Sequence, residues 1–186
     1  MDSHDKNTGY TAKDVRDFLK QHESKISHAV VIHTDVELAS LKLGELDKDT
    51  KQRIESTITK FINMLSGCLY KEVPRNKRKK HLFSICSIEE KGGKKGFTVH
   101  ANFGLGNIQI DIEELKRAIE KYWIKAGCMS IISEYSGRPQ TLSDSHLFVK
   151  EIKEGEWVSY KTKEGVGSWS VQNTWLETPK AINKSN

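Results

Sequence analysis

Two short stretches of this sequence carry residue types that could break a phosphodiester bond. The first reads Thr-Val-His-Ala-Asn-Phe and places His100 and Asn102 two residues apart. Near the other end of the chain, Tyr160 precedes Lys163 by three residues. An imidazole and an amide oxygen can bind a divalent cation, and a tyrosine hydroxyl can act as a covalent nucleophile once its phenolate is favoured. Together the stretches predict metal-assisted covalent attack on a phosphodiester.

The candidate metal site requires a strand. Side chains alternate between the faces of a strand, so His100 and Asn102 share one face and the apolar residues between them pack on the other. Glu89 and Glu90 end the preceding predicted strand, and one of them can approach His100 across a hairpin. Such ligands suit Mg²⁺ or Mn²⁺, which would polarise the scissile phosphate. An isolated HxN pattern is more often two polar residues on a solvated face. His33, on the first predicted strand, is a further candidate for contact with the site.

The candidate nucleophile requires a short helix, which we predict over residues 154–164. Residues three apart on a helix share a face, so Lys163 would lie beside the phenol of Tyr160. There it could favour the phenolate, orient the phosphate or balance charge in the transition state. YxxK is common by chance. Tyr122 and Tyr135 compete with Tyr160, but Tyr122 fits an apolar helix stripe and Tyr135 lacks a YxxK context.

The elements that position these residues follow from hydrophobic periodicity and turn signals. Apolar residues at helical spacing predict helices over residues 13–23, 47–69 and 111–126. β-branched and aromatic content predicts strands over residues 28–39, 82–90, 97–105, 129–134 and 147–152. This order predicts an α+β fold, in which helices pack on one face of an antiparallel sheet and leave the other face open for a ligand.

Composition narrows the class of protein. The 186 residues are 36% hydrophobic and carry a formal net charge of +5, which suits one globular domain with a polyanionic partner. Much of this positive charge lies in residues 71–80, called here the basic loop. This loop could contact phosphates, act as a nuclear localisation signal or be merely solvated. Its candidate DNA-binding residues are Lys77, Arg78, Lys79 and Lys80. Three scattered cysteines indicate a reducing compartment, and no signal peptide or membrane-spanning run is evident, so we expect an intracellular protein.

Taken together, these residues resemble the nicking domain of HUH endonucleases, the initiators of rolling-circle replication, and above all the Rep proteins of circular single-stranded DNA viruses. The resemblance rests on Ile88-Glu89-Glu90, His100-Ala101-Asn102 and Val158–Gly165. They are similar, in that order, to the family's metal-binding glutamate, its HUH or HUQ motif and its catalytic YxxK. Asn102 stands where the family has histidine or glutamine. The likeness covers roughly residues 29–165.

The resemblance implies that Tyr160 attacks single-stranded DNA at a replication origin, keeps the 5′ phosphate and leaves a free 3′ hydroxyl. His100, Asn102 and a glutamate, with Glu90 favoured over Glu89, would bind the metal, and Lys163 would assist. No GxxxxGK loop followed by serine or threonine is present, so the chain is either an isolated nicking domain or a member of a lineage that uses a separate helicase. The protein would act in the host nucleus for a eukaryotic virus and otherwise in the cytoplasm. The domains we predict are an N-terminal extension, a nicking domain and a C-terminal tail over residues 1–27, 28–165 and 166–186.

Three other functions compete with this prediction. A non-catalytic RRM-like module would stack single-stranded nucleic acid on aromatic residues of an open sheet, using Phe83 or Phe97 with Phe103, although we assign Phe103 to the core. Such a module would bind without metal and form no covalent adduct. A single-tyrosine HUH transposase would share the chemistry but needs a dimer and a hairpin at the transposon end. An interaction protein could use the helix at 47–69, whose periodicity is more simply explained as core.

Overall fold

The computed structural model describes residues 12–37, 48–75, 77, 81–89, 98–126, 147–153, 156–157 and 174–176. Its helices and strands are α1 (Ala12–His22), β1 (His28–Glu37), α2 (Lys48–Leu69), β2 (Phe83–Glu89), β3 (Thr98–Gly106), α3 (Ile112–Lys125), β4 (Leu147–Glu151) and β5 (Thr174–Leu176). The helices predicted over residues 13–23, 47–69 and 111–126 and four of the five predicted strands are therefore confirmed. Most of the short helix predicted over residues 154–164 lies outside the described residues. The strand predicted over 129–134 lies outside the described residues. β5 belongs to the segment that we expected to be a tail.

The strands form one antiparallel sheet in the order β4-β1-β3-β2-β5, which confirms the α+β class. β3 lies at its centre, paired with β1 on one side and β2 on the other. The β1–β3 register sets Val30 opposite Phe103 and His33 opposite His100, and it shifts beyond His33. The β2–β3 pairing confirms the predicted hairpin and sets Glu89 opposite His100.

One face of the sheet, called here the first face, carries the main hydrophobic core. Alternate strand residues, among them Val30 and Phe103, pack there against α2 and α3. The ring of Phe61 on α2 contacts Phe103 and Trp123 of α3 at centroid distances of 5.4 and 5.1 Å. The N-terminus of α3 is capped as predicted, since Asp111 Oδ1 accepts hydrogen bonds from the first-turn backbone. Because its ring packs against Phe61 on this face, Phe103 is a core residue, as expected.

The opposite face, called here the second face, is covered at one end. Ala29 and Ile85 point to this side and form a separate cluster with Leu19 of α1, Ile26 and Trp157. The expectation of a wholly open second face is therefore wrong. Among the described helices, α2 and α3 join the first-face core, whereas α1 contributes an apolar residue to the second face. A short amphipathic helix buries its apolar side against whichever sheet face is within reach of its linker, and the 3₁₀ turn at Glu23–Lys25 leads α1 directly into β1.

Glycine on β3 allows this cover to approach the sheet. A Cβ atom on Gly104 would lie 2.8 Å from Ile26 Cδ1 and 3.0 Å from Trp157 Cε2. A Cβ atom on Gly106 would clash with the carbonyl oxygen of Lys25. Both glycines thus mark where the α1–β1 connection and the Trp157 segment press on the central strand. Among the described residues, no helix combines the length and hydrophobicity needed to cross a bilayer.

Candidate metal and nucleophile site

A row of polar residues crosses three strands of the second face. Cα pairing aligns His33 of β1, His100 of β3 and Glu89 of β2, and this set is called here the polar row. The imidazole rings of His33 and His100 lie 4.0 Å apart between centroids, with an interplanar angle of 64°. His100 is half-buried, and its Nε2 atom is buried. The fold thus brings two imidazoles into contact and aligns the backbone of a glutamate with them.

Asn102 lies one row further along the same face. Its Cα partners are Val31 on β1 and Ser87 on β2. Asn102 is only 2% exposed and its Oδ1 atom is buried, so it is not one of two polar residues on a solvated face, the usual meaning of an isolated HxN pattern. The next row, at Gly104, lies beneath Ile26 and Trp157, and the closed end of the face reaches that far. Asn102 shares a face with His100, as alternation predicted, but as a buried residue.

Trp157 brings the chain that leads to Tyr160 onto this same face. Its side chain is 1% exposed and packs over Gly104, so it is a core residue and not a solvent-exposed stacking platform. Tyr160 and Lys163 lie outside the described residues. Three peptide units separate Trp157 from Tyr160, a span of at most about 11 Å between Cα atoms. Trp157, the last described residue before Tyr160, lies on the side of the sheet that carries the polar row.

Glu156, the residue before Trp157, forms hydrogen bonds at the end of edge strand β4. The Glu156 carboxylate accepts a hydrogen bond from Lys150 Nζ at 3.0 Å and another from the backbone N–H of Lys153 at 3.0 Å. These donors, the backbone N–H first, lower the pKa of Glu156 and keep it ionised at neutral pH. The contacts hold the residue just before Trp157 against the end of β4.

Tyr122, the competing nucleophile among the described residues, is poorly suited to attack. It lies on α3 and packs against the first-face core, on the far side of the sheet from His100. A hydrogen bond with Cys68 and, to a lesser degree, burial raise the pKa of Tyr122. A nucleophilic tyrosine needs the opposite shift. Tyr135 lies outside the described residues.

Some of the remaining candidates lie on described elements and others lie outside the described residues. Lys77 is exposed, as a phosphate-contacting residue would be, whereas Arg78, Lys79, Lys80 and Glu90 lie outside the described residues. Glu89 is the Cα partner of His100. Of the aromatic residues proposed for stacking, Phe97 lies outside the described residues. Phe83 is half-buried against the second-face cluster.

Sequence reasoning missed Phe148 as a surface residue of this site. Phe148 lies on edge strand β4 and is the Cα partner of Val31 on β1. It therefore lies in the row of Asn102 on the second face. Its side chain is 47% exposed. An exposed aromatic ring can stack on a nucleobase. The alternation of β4 was readable from the sequence, but the pairing of β4 with β1 was not.

The donors of this face suit a divalent cation. Imidazole nitrogen binds first-row transition ions well, and Mn²⁺ also accepts the oxygen ligands that a carboxylate or amide offers. Within the described side chains, no group of three histidine, cysteine or acidic residues could hold a metal ion. The side chain of Glu89, which would be the third member of such a group, is not among them. Comparisons with protein-family models, curated proteins and solved structures found no match to this chain.

Proposed function

We propose that this protein nicks and rejoins single-stranded DNA through a 5′-phosphotyrosine at Tyr160, using Mg²⁺ or Mn²⁺ bound near His100. One observation carries the proposal: the second face bears both the polar row and Trp157, three residues before Tyr160. A nucleophile must reach the phosphate that the metal polarises, so both must act on one side of the sheet.

The proposed reaction exchanges one phosphate ester for another. The phenol of Tyr160 gives up its proton, its oxygen attacks the scissile phosphorus, and the bond from phosphorus to the 3′ oxygen breaks. The 3′ oxygen takes up a proton and leaves as a free hydroxyl, while the 5′ phosphate stays on tyrosine. No water is consumed, so a 3′ hydroxyl can reverse the reaction and rejoin the strand. A bound divalent cation would neutralise charge on the phosphate, and Lys163 would orient it or balance charge.

This activity would serve the initiation of rolling-circle replication. The free 3′ hydroxyl would prime a polymerase, and a separate helicase is a candidate partner. Exposed Lys77 and the basic residues that follow it would contact DNA phosphates without reading sequence. The work would take place inside the cell, in the nucleus of a eukaryotic host or in the cytoplasm otherwise.

A second candidate function is non-catalytic binding of single-stranded nucleic acid. The exposed ring of Phe148, on the same face as the polar row, favours it. Base stacking on an aromatic ring contributes about 1–3 kcal/mol per base and tolerates any sequence. A nickase also needs to hold its substrate, so Phe148 is compatible with both functions. Covalent chemistry distinguishes them.

The test is a covalent adduct on a denaturing gel. Labelled single-stranded oligonucleotides of mixed sequence are incubated with Mn²⁺ and wild-type protein, or with Tyr160→Phe, His100→Ala or the matched control Tyr122→Phe. We expect an adduct in the wild type and in Tyr122→Phe, no adduct in Tyr160→Phe, and a large loss in His100→Ala. An adduct that persists in Tyr160→Phe would reject this nucleophile. Binding without metal and without any adduct would favour the non-catalytic module.

A further inference from the structure

We infer that His33 is the second imidazole ligand of the metal site, in the role that the sequence pattern gave to Asn102. The inference rests on the proposed function and adds a ligand from a different strand. It also indicates which ion the site prefers, because two imidazoles and one carboxylate favour Mn²⁺ or a later first-row ion over Mg²⁺.

The ring geometry of the two histidines already suits a shared ion. Two imidazoles bound at adjacent positions of one ion, with metal–nitrogen distances near 2.1 Å, have centroids about 4 to 5 Å apart. The rings of His33 and His100 lie 4.0 Å apart and are inclined at 64°. The two rings therefore lie at about the centroid separation that two imidazole ligands of one ion would have.

Position on the sheet favours His33 over Asn102. Directly paired residues on neighbouring strands have Cβ atoms about 4.5–5.5 Å apart, whereas residues two apart along a strand are about 6.6 Å apart. His33 is directly paired with His100, and Asn102 is two residues away. Asn102 is also 2% exposed, in a row flanked by Val31 and buried Ser87. An ion near His100 would meet the half-buried ring of His33 at shorter range than the amide of Asn102.

The third position of the polar row is occupied by a glutamate on β2. Glu89 is the Cα partner of His100 on the side opposite His33. A carboxylate from this position would add a negative oxygen ligand to two neutral nitrogens, and water or phosphate oxygens would take the remaining positions. The two inferred imidazole ligands thus come from adjacent strands, β1 and the central β3, and backbone pairing extends the row to Glu89 on β2.

The test measures metal binding to the full chain without DNA. Mn²⁺ affinity is measured by electron paramagnetic resonance and calorimetry. The variants are His33→Gln, His100→Gln and Asn102→Ala, with His28→Gln as matched control, because His28 lies on the same strand and alternation turns it to the opposite face. Pulsed spectra count the imidazole nitrogens coupled to Mn²⁺. Circular dichroism in EDTA verifies that each variant is folded.

We expect two coupled imidazoles in the wild type and one in His33→Gln, with Mn²⁺ affinity at least tenfold weaker. His28→Gln should match the wild type, and Asn102→Ala should change affinity by less than threefold if it folds. His33→Gln should weaken Mg²⁺ binding less than Mn²⁺ binding. A wild-type spectrum with one imidazole, or unchanged affinity in His33→Gln, overturns the inference. Either result leaves the adduct assay on Tyr160 unaffected, so the nickase proposal is judged separately.

Discussion

Replacing Gly104 with alanine should loosen the packing of Ile26 and Trp157 over β3. Trp157 is the residue from which the chain continues to Tyr160. The Cβ of Gly104→Ala would lie 2.8 Å from Ile26 Cδ1, 3.1 Å from Ile26 Cγ2 and 3.0 Å from Trp157 Cε2. Carbon atoms pack best at about 3.5–4.0 Å, so these neighbours must retreat by about 0.5–1 Å. The φ of Gly104 is not in the left-handed region, so alanine brings no backbone strain and the effect is one of packing alone.

The expected magnitude follows from the cost of overpacking. Extra atoms in a filled core typically cost about 1–3 kcal/mol, and we expect Gly104→Ala to lower the free energy of unfolding by that amount. Ile26→Val alone removes the Cδ1 methyl and should cost about 0.5–1.5 kcal/mol. In the double variant, the closest contact with the new Cβ no longer exists. Its loss of stability should therefore be smaller than the sum of the two single losses by at least about 0.5 kcal/mol.

Urea denaturation of the four proteins measures this coupling, with equal m-values as the sign that the transition is unchanged. The covalent adduct yield of Gly104→Ala should also fall, because Trp157 must shift, while its Mn²⁺ affinity should stay within threefold of the wild type. Strict additivity of the two substitutions, or a Gly104→Ala protein as stable as the wild type, would refute the packing of Ile26 and Trp157 over β3. If Gly104→Ala instead lost Mn²⁺ affinity and kept its adduct yield, it would refute the assignment of metal binding to the polar row and of nucleophile positioning to the Trp157 segment.

Two further predictions concern binding and pH. Phe148→Ala should weaken single-stranded DNA binding by about 1–3 kcal/mol for each base stacked on the ring, measured by fluorescence anisotropy. Ile124→Ala removes an exposed apolar residue from α3 and should leave affinity unchanged, so equal losses would contradict a role for Phe148. Burial lowers the pKa of His28, although Glu151 acts in the opposite direction. The unfolded chain then takes up a proton first as pH falls below about 6.5, so urea denaturation should show stability declining from pH 7 towards pH 5, less steeply in His28→Gln.

The secondary structure was largely predictable from residue spacing. Ile54, Ile58, Phe61 and Leu65 recur at helical intervals, and α2 buries all four against the sheet. The position of α1 was not predictable. Its apolar stripe indicates that the helix buries one side, but residue spacing within a helix carries no information on which sheet face lies within reach. The packing of Leu19 beside Trp157, far apart in sequence, decides it.

The candidate site was predictable only within the β2–β3 hairpin. Alternation placed His100 and Asn102 on one face, and the glycine-rich turn predicted that a glutamate of β2 would pair with His100. The contact with His33 depends on β1 lying beside β3 in one particular register, which the packing of distant side chains sets. The same limit applies to Phe148, whose place beside Val31 depends on the pairing of β4 with β1.

The partial closure of the second face bears on the choice between catalysis and simple binding. A module that stacks several bases needs an open sheet, yet Ile26 and Trp157 close one end of this face and Asn102 is buried. The half-buried rings of His33 and His100 lie beyond buried Asn102 from that closed end, and the exposed Phe148 lies at the sheet edge. The described part of this face therefore sets a stacking position near a partly buried pair of imidazoles. Interactions between charges are stronger where water is excluded, which benefits a developing phosphate charge more than a passively bound strand. This arrangement therefore favours chemistry on a single phosphate over extended recognition of a strand.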